Sequence, residues 1–174
     1  MKAKNGMHKK GNKVFIHLYD RDGSVVASSI IDSGEWERVK MYRWRLGTRT
    51  VETFSKETGR IRLHHLIIGS KPKRGYCVDH INGDVLDNRR SNLRVATYAQ
   101  NSINSKTPVS NTTGYKGVCW DKVNRKYQAQ IKVKGKTLWL GRFLTKRFAA
   151  EEYNRAAKKY HGEFARLNDI PDDY

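Results

Sequence analysis

The sequence has little of several things that define other classes of protein. Its 174 residues include only two cysteines and three prolines. Cys77 and Cys119 lie far apart, whereas a structural zinc site needs four Cys or His ligands that usually come in close pairs. We therefore expect no structural zinc site. Reduced thiols, as in a cytosolic protein, are the default, although a disulfide between the two stays open.

Long apolar runs are also missing. No stretch reaches the roughly 20 apolar residues of a membrane-spanning helix, and no basic amphipathic helix has a bulky apolar face. Residues 1–12 are basic and polar and lack the apolar segment of a signal peptide. We expect a flexible basic arm there, and no membrane partner.

Acidic residues are few relative to basic ones. Lys and Arg number 35 against 17 Asp and Glu, which gives a net charge of +18. Such an excess opposes compaction by self-repulsion, and its usual use is a polyanionic partner, with DNA or RNA first. The alternative is a basic surface that serves solubility alone.

Hydrophobic periodicity divides the chain into short elements. Residues 13–20 and 24–31 predict a hairpin, and residues 48–55 and 60–68 predict two further strands. A short strand at 93–96 precedes a helix at about 98–105. Beyond a Ser/Thr/Pro-rich linker at 106–113, the pattern predicts strands at 115–120, 127–134 and 136–143 and a helix at 146–161.

Asp, His and Asn are concentrated in residues 78–94 of this basic chain. Hydrolysis of a phosphodiester needs a base for the water and a cation on the phosphate. Asp79 offers a carboxylate and Asn101 an amide oxygen, which suit a hard cation such as Mg²⁺, and the imidazole of His80 suits a base near neutral pH. Because neighbouring side chains on a strand point to opposite faces, Asp79 and His80 can serve one site only at a loop or a distortion.

Other residues of this region have more than one interpretation. Asn104, one turn beyond Asn101, is the competing ligand. Asn88 and Asn92 are expected to brace the loop. His64 and His65 lie in the predicted strand 60–68, which would bury one imidazole and leave the other to contact a phosphate.

Residues 63–104 resemble the HNH endonuclease family, in the branch found in phage homing endonucleases. The matching segments are 63–67, 78–84, 86–94 and 101–104. The resemblance implies a ββα-metal finger in which one metal ion joins the protein to the scissile phosphate. It makes Asp79 and Asn101 metal ligands, His80 the general base and Asn92 the brace of the loop that orients His80. Many members have His at the position of Asn101, so Asp plus Asn favours Mg²⁺ or Mn²⁺ over zinc.

Residues 114–168 resemble a second family, the plant Apetala/ethylene-response-factor DNA-binding domain, which also occurs fused to phage HNH endonucleases. Segments 114–118, 127–131, 138–143 and 149–157 carry the resemblance. A ribbon of strands can enter the major groove and present alternate side chains to DNA. The expected DNA-facing residues are Lys116, Trp120, Arg125, Gln128, Gln130, Lys132, Lys134 and Thr137, and the family pattern adds Trp139 and Arg142.

Residues 13–62 resemble the region that precedes the finger in the same phage family. A basic strand over residues 41–50, with Arg43 and Arg45, is expected to lie along the phosphate backbone. Trp44, between these arginines, could equally be a core residue.

The expected architecture is α+β in five parts. A basic arm (1–12) precedes a β-rich DNA-contacting region (13–62), the ββα-metal finger (63–105), the linker (106–113) and a three-stranded antiparallel sheet packed on one helix (114–168). The expected function is site-specific, metal-dependent cleavage of double-stranded DNA by a homing endonuclease, nicking or cutting both strands. We expect a monomer on DNA, no small-molecule substrate, and action in the cytoplasm of a phage-infected bacterium.

Three alternatives remain at this stage. A non-catalytic DNA-binding regulator with a decayed finger is disfavoured because Asp79, His80, Asn92 and Asn101 are all present. A nuclease with little sequence preference is disfavoured by the second module. An RNA-binding protein is the most remote, because no stacking motif for single-stranded RNA is visible.

Overall fold

The computed structural model describes residues 5–57 and 59–171, and these form two compact units, Met1–Tyr98 and Ala99–Tyr174. The division falls earlier than the predicted linker over residues 106–113. No helix in the described part of the chain is both long and apolar enough to cross a membrane.

A three-stranded antiparallel sheet opens the first unit. It has the order β1 (Met7–Lys10), β2 (Lys13–Tyr19) and β3 (Val25–Asp32), and the β2–β3 hairpin agrees with the sequence prediction. The prediction of a flexible arm was wrong for residues 7–10, because these residues pair with β2 along their whole length. Residues 1–4 of that arm lie outside the described residues.

The middle of the first unit differs most from the prediction. A short helix α1 (Trp36–Val39) is followed by a small antiparallel sheet of β4 (Arg45–Leu46), β5 (Val51–Ser55) and β6 (Gly59–Arg62). The predicted strand over residues 41–50 shrinks to the two residues of β4. Helix α2 (Leu63–Ile68) replaces the second half of the strand predicted at 60–68.

The reason for that error is visible in the packing of α2. Leu63 and Ile67, four residues apart, are fully buried on one side of the helix. The helix ends at Gly69, whose φ of 88° lets its N–H donate to the carbonyls of His65 and Leu66. A run of six residues, four of them apolar, is too short to show whether its period is helical or extended.

Two strands and a helix occupy the predicted finger. Strands β7 (Tyr76–His80) and β8 (Leu93–Thr97) form an antiparallel pair, and helix α3 (Tyr98–Asn104) follows directly along the chain, as predicted. The core of the first unit includes buried residues of β2, β5, α2 and the β7–β8 hairpin. Trp44 belongs to this core, with its indole N–H donating to the carbonyl of Val39.

The second unit contains the predicted sheet and helix. Strands β9 (Val118–Asp121), β10 (Lys126–Val133) and β11 (Lys136–Phe143) form an antiparallel sheet with β10 in the centre. Helix α4 (Lys146–His161) begins after Thr145, whose side chain accepts a hydrogen bond from the N–H of Phe148. Its buried alanines and Tyr153 pack on the sheet, because small side chains let the helix approach closely.

Candidate active site

The β7–β8 hairpin positions the two central residues of the predicted site. Asp79 pairs with Arg94 across the hairpin and His80 pairs with Leu93, in a regular register that ends where the loop begins at Ile81. Asp79 and His80 are both buried. Asp79 and His80 themselves therefore show neither the distortion nor the loop that the sequence analysis required; His80 is the last residue of the ladder, and the loop follows it directly.

Asp79 is held by a buried ion pair. Both Nε and Nη2 of Arg94 lie near the Asp79 carboxylate oxygen Oδ2, at 3.0 and 2.9 Å. Only 5% of the Asp79 side chain and 13% of the Arg94 side chain are exposed. A carboxylate this buried needs such a partner, because an uncompensated charge in the interior is strongly destabilising.

The loop from Ile81 to Asn92 is closed by Asn92. The amide of Asn92 donates to Asn82 Oδ1 at 3.0 Å and to the carbonyl of Asp87 at 2.8 Å, and its Oδ1 accepts from the N–H of Asn82 at 3.0 Å. Both ends of the loop are therefore tied to one buried side chain. These bonds are those of a loop brace, the position expected for Asn92.

The loop is also stabilised by the carboxylate of Asp87. It accepts hydrogen bonds from Arg89 Nε at 2.8 Å and Nη2 at 2.6 Å, and from the Asn82 amide at 3.0 Å. The hydrogen bonds from Arg89 are the largest cause that holds the pKa of Asp87 below its ordinary value.

Asn88 contacts the imidazole of His80. Its Oδ1 lies 3.2 Å from His80 Nε2, and its amide nitrogen donates to Ser29 Oγ and to the carbonyl of Val85, each at 3.0 Å. Asn88 and Ser29 have no exposed surface. The sequence analysis identified Asn88 only as a loop brace and missed Ser29, which lies on β3 and has no local sequence signal.

Strand β3 holds the loop through backbone bonds as well. The N–H of Ile30 donates to the carbonyl of Leu86, and the N–H of Asn88 donates to the carbonyl of Ile30, each at 2.8 Å. The side chain of Asp32 accepts from the N–H of Arg90 at 2.8 Å. The N-terminal sheet therefore supports the loop beside His80, a role that was not predicted from the sequence.

Three imidazoles lie together next to this loop. The ring centroid of His64 lies 5.3 Å from the ring centroid of His80 and 4.6 Å from that of His65, and both pairs of rings meet edge to face. Thr50 Oγ1 lies 3.2 Å from His64 Nδ1. The expectation that His64 and His65 lie on a strand was wrong, since both belong to α2, where His64 is buried and His65 is half-buried.

Burial keeps these imidazoles uncharged. Desolvation is the largest cause that lowers the pKa of His64 to about 3, and the neighbouring His65, His80 and Arg62 add to it. Desolvation also lowers the pKa of His80, against the opposing effects of its hydrogen bond to Asn88 Oδ1 and of nearby carboxylates. His80 is therefore a neutral imidazole near pH 7, the form that can accept a proton.

The predicted second ligand lies on α3. Asn101 is exposed, whereas its competitor Asn104 is buried, so Asn101 is the more accessible of the two amides. Within residues 5–57 and 59–171, no group of three or more His, Cys, Asp and Glu side chains is placed to hold a metal ion. The proposed ligand pair contains only one residue of these types, so this finding does not bear on it.

The second unit presents the predicted alternation on β10. Ala129 and Ile131 are buried against α4, whereas Gln130 and Lys132 are exposed and Gln128 is half-buried. The strand pairing has a bulge between Ala129 and Gln130. Several residues of the expected DNA-facing set are exposed around this sheet: Trp120, Arg125, Gln130, Lys132, Lys134, Thr137, Trp139 and Arg142.

A cavity of about 620 Å³ lies beside this sheet. Five of the predicted DNA-facing residues contribute to its wall: Lys116, Gln130, Lys132, Lys134 and Thr137. Tyr153 and His161 also line the cavity. These side chains therefore border a concave surface, where the sequence pattern indicated only one face of a strand.

Lys116 does not lie on the exposed face as expected. It is half-buried, and its ammonium donates to the carbonyls of Ile103 and Ser105, each at 2.6 Å. Burial, with a smaller effect from Arg166, lowers the pKa of Lys116 to about 8. The contacts show a cation that satisfies the last carbonyls at the end of α3.

The remaining predicted contacts are basic and aromatic side chains on the surface. Arg142 stacks over Trp139, with 5.5 Å between its Cζ and the ring centroid, and also pairs with Asp121 at 2.8 Å. In the first unit Arg43 is exposed, while Arg45 lies over the ring of Phe54 and 3.3 Å from Glu52. Arg45 and Arg142 each already form an ion pair with a carboxylate of the protein itself.

Comparison with known proteins identifies the family to which this site belongs. Residues 63–103 match the family model described as HNH endonuclease. The chain is 34% identical over 161 residues to an uncharacterized HNH endonuclease of Acanthamoeba polyphaga mimivirus, covering 90% of this chain and 82% of that protein. It is 39% identical over 99 residues to Protein 3.8 of Escherichia phage T7, covering 57% of this chain and 80% of that protein.

No solved structure matches the chain significantly. The family therefore rests on sequence similarity, which extends well beyond the matched 63–103 segment into both units. The chain belongs to the HNH endonuclease family and is a DNA endonuclease, a hydrolase of phosphodiester bonds.

Proposed function

We propose that this endonuclease cuts double-stranded DNA at specific sites, with His80 as general base and with Asp79 and Asn101 as ligands of one Mg²⁺ or Mn²⁺ ion. The observation that carries the proposal is the state of His80. It is a buried, neutral imidazole at the end of a strand, next in sequence to a buried carboxylate and hydrogen-bonded to Asn88.

The residues present suit a hard divalent cation. A carboxylate and an amide oxygen are the ligand types that Mg²⁺ prefers, and Mg²⁺ usually binds few protein groups and keeps several waters. The proposed pair contains neither a thiolate nor an imidazole, and such an oxygen-only ligand set suits Mg²⁺ or Mn²⁺ over zinc. When bound, the ion would neutralise charge on the scissile phosphate and make a bound water more acidic.

The protein's own side chains supply the proton transfer. His80 takes a proton from the attacking water as the water oxygen bonds to phosphorus. The P–O3′ bond then breaks, and the leaving oxygen takes up a proton from solvent. Because one finger holds one base, a monomer would nick one strand, and a double-strand break would need a second nick or a second copy.

The second unit is proposed to supply binding and sequence preference. Exposed Gln130 can pair with a base edge, and Lys132, Lys134 and Arg125 can bind phosphates or guanine. The excess of 18 positive charges supports strong, salt-dependent DNA binding. We assign the sheet the role of an Apetala-like DNA-reading module, in an endonuclease of the phage homing type.

The cellular setting belongs to the same proposal. The relative from phage T7 supports action in the cytoplasm of an infected bacterium. Homing, with the enzyme encoded in or beside an intron, would make the target a site in viral or host DNA.

Cleavage of supercoiled plasmids carrying viral or host genomic inserts tests the proposal. The wild type should give relaxed or linear DNA with Mg²⁺ or Mn²⁺ and none with EDTA. His80→Ala should lose at least ~100-fold, the lower range for removing a general base. His8→Ala, at an exposed histidine on β1, is the matched control. Tight site-specific binding without cleavage under any metal would instead support a DNA-binding regulator.

A further inference from the structure

A chain of buried hydrogen bonds connects His80 to the N-terminal sheet. It runs from His80 Nε2 to Asn88 Oδ1 at 3.2 Å, from Asn88 Nδ2 to Ser29 Oγ at 3.0 Å, and from Ser29 Oγ to the carbonyl of Leu86 at 3.0 Å. Ser29 and Asn88 are both fully buried. The chain joins groups that lie 59 positions apart in the sequence.

The direction of every bond in this chain is fixed by backbone carbonyls. A carbonyl oxygen can only accept, so the Asn88 atom beside the carbonyl of Val85 must be the amide nitrogen. The hydroxyl of Ser29 must likewise donate to the carbonyl of Leu86, which leaves its oxygen lone pair to accept from Asn88. The remaining Asn88 atom, which faces His80, is therefore its carbonyl oxygen.

An oxygen acceptor opposite His80 Nε2 requires a proton on that nitrogen. A neutral imidazole has one N–H and one lone pair, so Nδ1 then carries the lone pair. We propose that Ser29 and Asn88 are positioning residues that hold His80 in the tautomer protonated on Nε2, so that Nδ1 is the atom that accepts the proton from water. This inference rests on the proposed function of His80 as the base.

The arrangement makes a residue of the N-terminal sheet matter for the chemical step. Without the Ser29 hydroxyl, one Asn88 N–H loses its acceptor in a fully buried position. Only the bond to the Val85 carbonyl then opposes rotation of the amide, so the population with the amide nitrogen facing the imidazole, which favours the opposite tautomer, increases. Since one hydrogen bond is worth about a factor of ten in an equilibrium, Ser29→Ala should slow cleavage ~10-fold.

The test compares Ser29→Ala with Ser28→Ala, its neighbour on the other face of β3. Ser28 is half-buried and pairs with His17, away from Asn88. Plasmid cleavage at saturating enzyme, DNA affinity in EDTA and thermal stability are measured for both. Ser29→Ala should cut ~10-fold more slowly with DNA affinity unchanged within about twofold, while Ser28→Ala should match the wild type.

The tautomer itself is read by NMR of the ¹⁵N-labelled imidazoles, with His80 assigned through His80→Ala. The wild type and Ser28→Ala should carry the His80 proton on Nε2, and Ser29→Ala should show an increased Nδ1–H population. A purely structural role for Ser29 would not move this signal. A wild-type His80 protonated on Nδ1, or equal cleavage rates and tautomers in the two serine variants, overturns the inference.

Two further outcomes are separable. Where Ser29→Ala fails to fold, Ser29→Cys keeps the volume with a thiol that donates and accepts only weakly, and it should show the same changes in smaller degree. A wild type that cuts no DNA, yet shows the Nε2–H tautomer and its loss in Ser29→Ala, overturns the proposed function and supports the tautomer assignment.

Discussion

Arg94 lies directly across the hairpin from Asp79 and directs two guanidinium nitrogens at one of its carboxylate oxygens. The pair therefore places a positive charge against the buried carboxylate of the residue assigned to the metal. Removing the arginine leaves a buried carboxylate that needs another cation, and a divalent ion bound to Asp79 could supply it.

We predict that Arg94→Met lowers the free energy of unfolding by about 3 kcal/mol in EDTA, the typical cost of removing one partner of a buried pair. If Asp79 binds the metal, Mg²⁺ at a hundredfold excess over its Kd should restore about 2.7 kcal/mol. Urea denaturation with and without Mg²⁺ measures both. The control Arg155→Met breaks an exposed pair with Glu152 and should cost less than about 1 kcal/mol. No effect of Mg²⁺ on Arg94→Met would argue against Asp79 as a ligand.

Asn92 and Asn101 should behave oppositely when replaced by alanine. Asn92→Ala removes three hydrogen bonds that close the loop and should destabilise the protein by about 2 kcal/mol. Asn101→Ala, at an exposed position, should leave stability within about 0.5 kcal/mol but abolish metal-dependent cleavage. Thermal unfolding and plasmid cleavage on the same samples separate the two roles. Full cleavage activity in Asn101→Ala would move the ligand assignment to Asn104.

Stability should decline below pH 6.5 because of His64. The unfolded chain binds a proton at this residue near pH 6.5, whereas the folded state does so only near pH 3. Between these values the unfolded state holds more protons. The free energy of unfolding therefore decreases as the pH is lowered, by up to about 1.4 kcal/mol per pH unit. Above pH 6.5 both states are neutral and the penalty vanishes.

The lowered pKa of His80 acts in the same direction as that of His64. Urea denaturation at pH 7.5, 6.0 and 5.0 should therefore show a decline in the wild type that is weaker in His64→Asn. His8→Asn, at an exposed site, should keep the wild-type slope. Equal slopes in all three proteins would show that His64 becomes protonated without unfolding.

Lys116 and Lys132 should differ in how they affect DNA binding. Lys132→Met removes an exposed charge and should reduce the slope of log affinity against log salt by about 1. Lys116→Met removes the donor to Ile103 and Ser105 and should cost about 1 kcal/mol of stability with the salt slope unchanged. Binding titrations at several salt concentrations and thermal unfolding test this. A reduced slope in Lys116→Met would restore it to the DNA-facing set.

The local sequence pattern was enough to predict the elements in which the hydrophobic period repeats several times or in which a capping residue marks the end. The β2–β3 hairpin and α4 were predicted because alternation and the cap at Thr145 lie within each segment. Helix α2 was predicted as a strand because its run is short. Residue chemistry and resemblance were enough to propose Asp79 and His80 as site residues, whereas the contact between Ser29 and Asn88 depends on tertiary packing that no local pattern encodes.

The docking of the loop on β3 has a consequence for how such nucleases can be recombined. The family match spans residues 63–103, yet Ser29, Ile30 and Asp32, which hold the loop beside His80, lie outside it. Under the proposed function, the smallest unit that should keep its cutting activity when transplanted is therefore the finger together with the N-terminal sheet. A graft of the finger alone into another DNA-binding scaffold would carry the reactive groups without the surface that holds them in place.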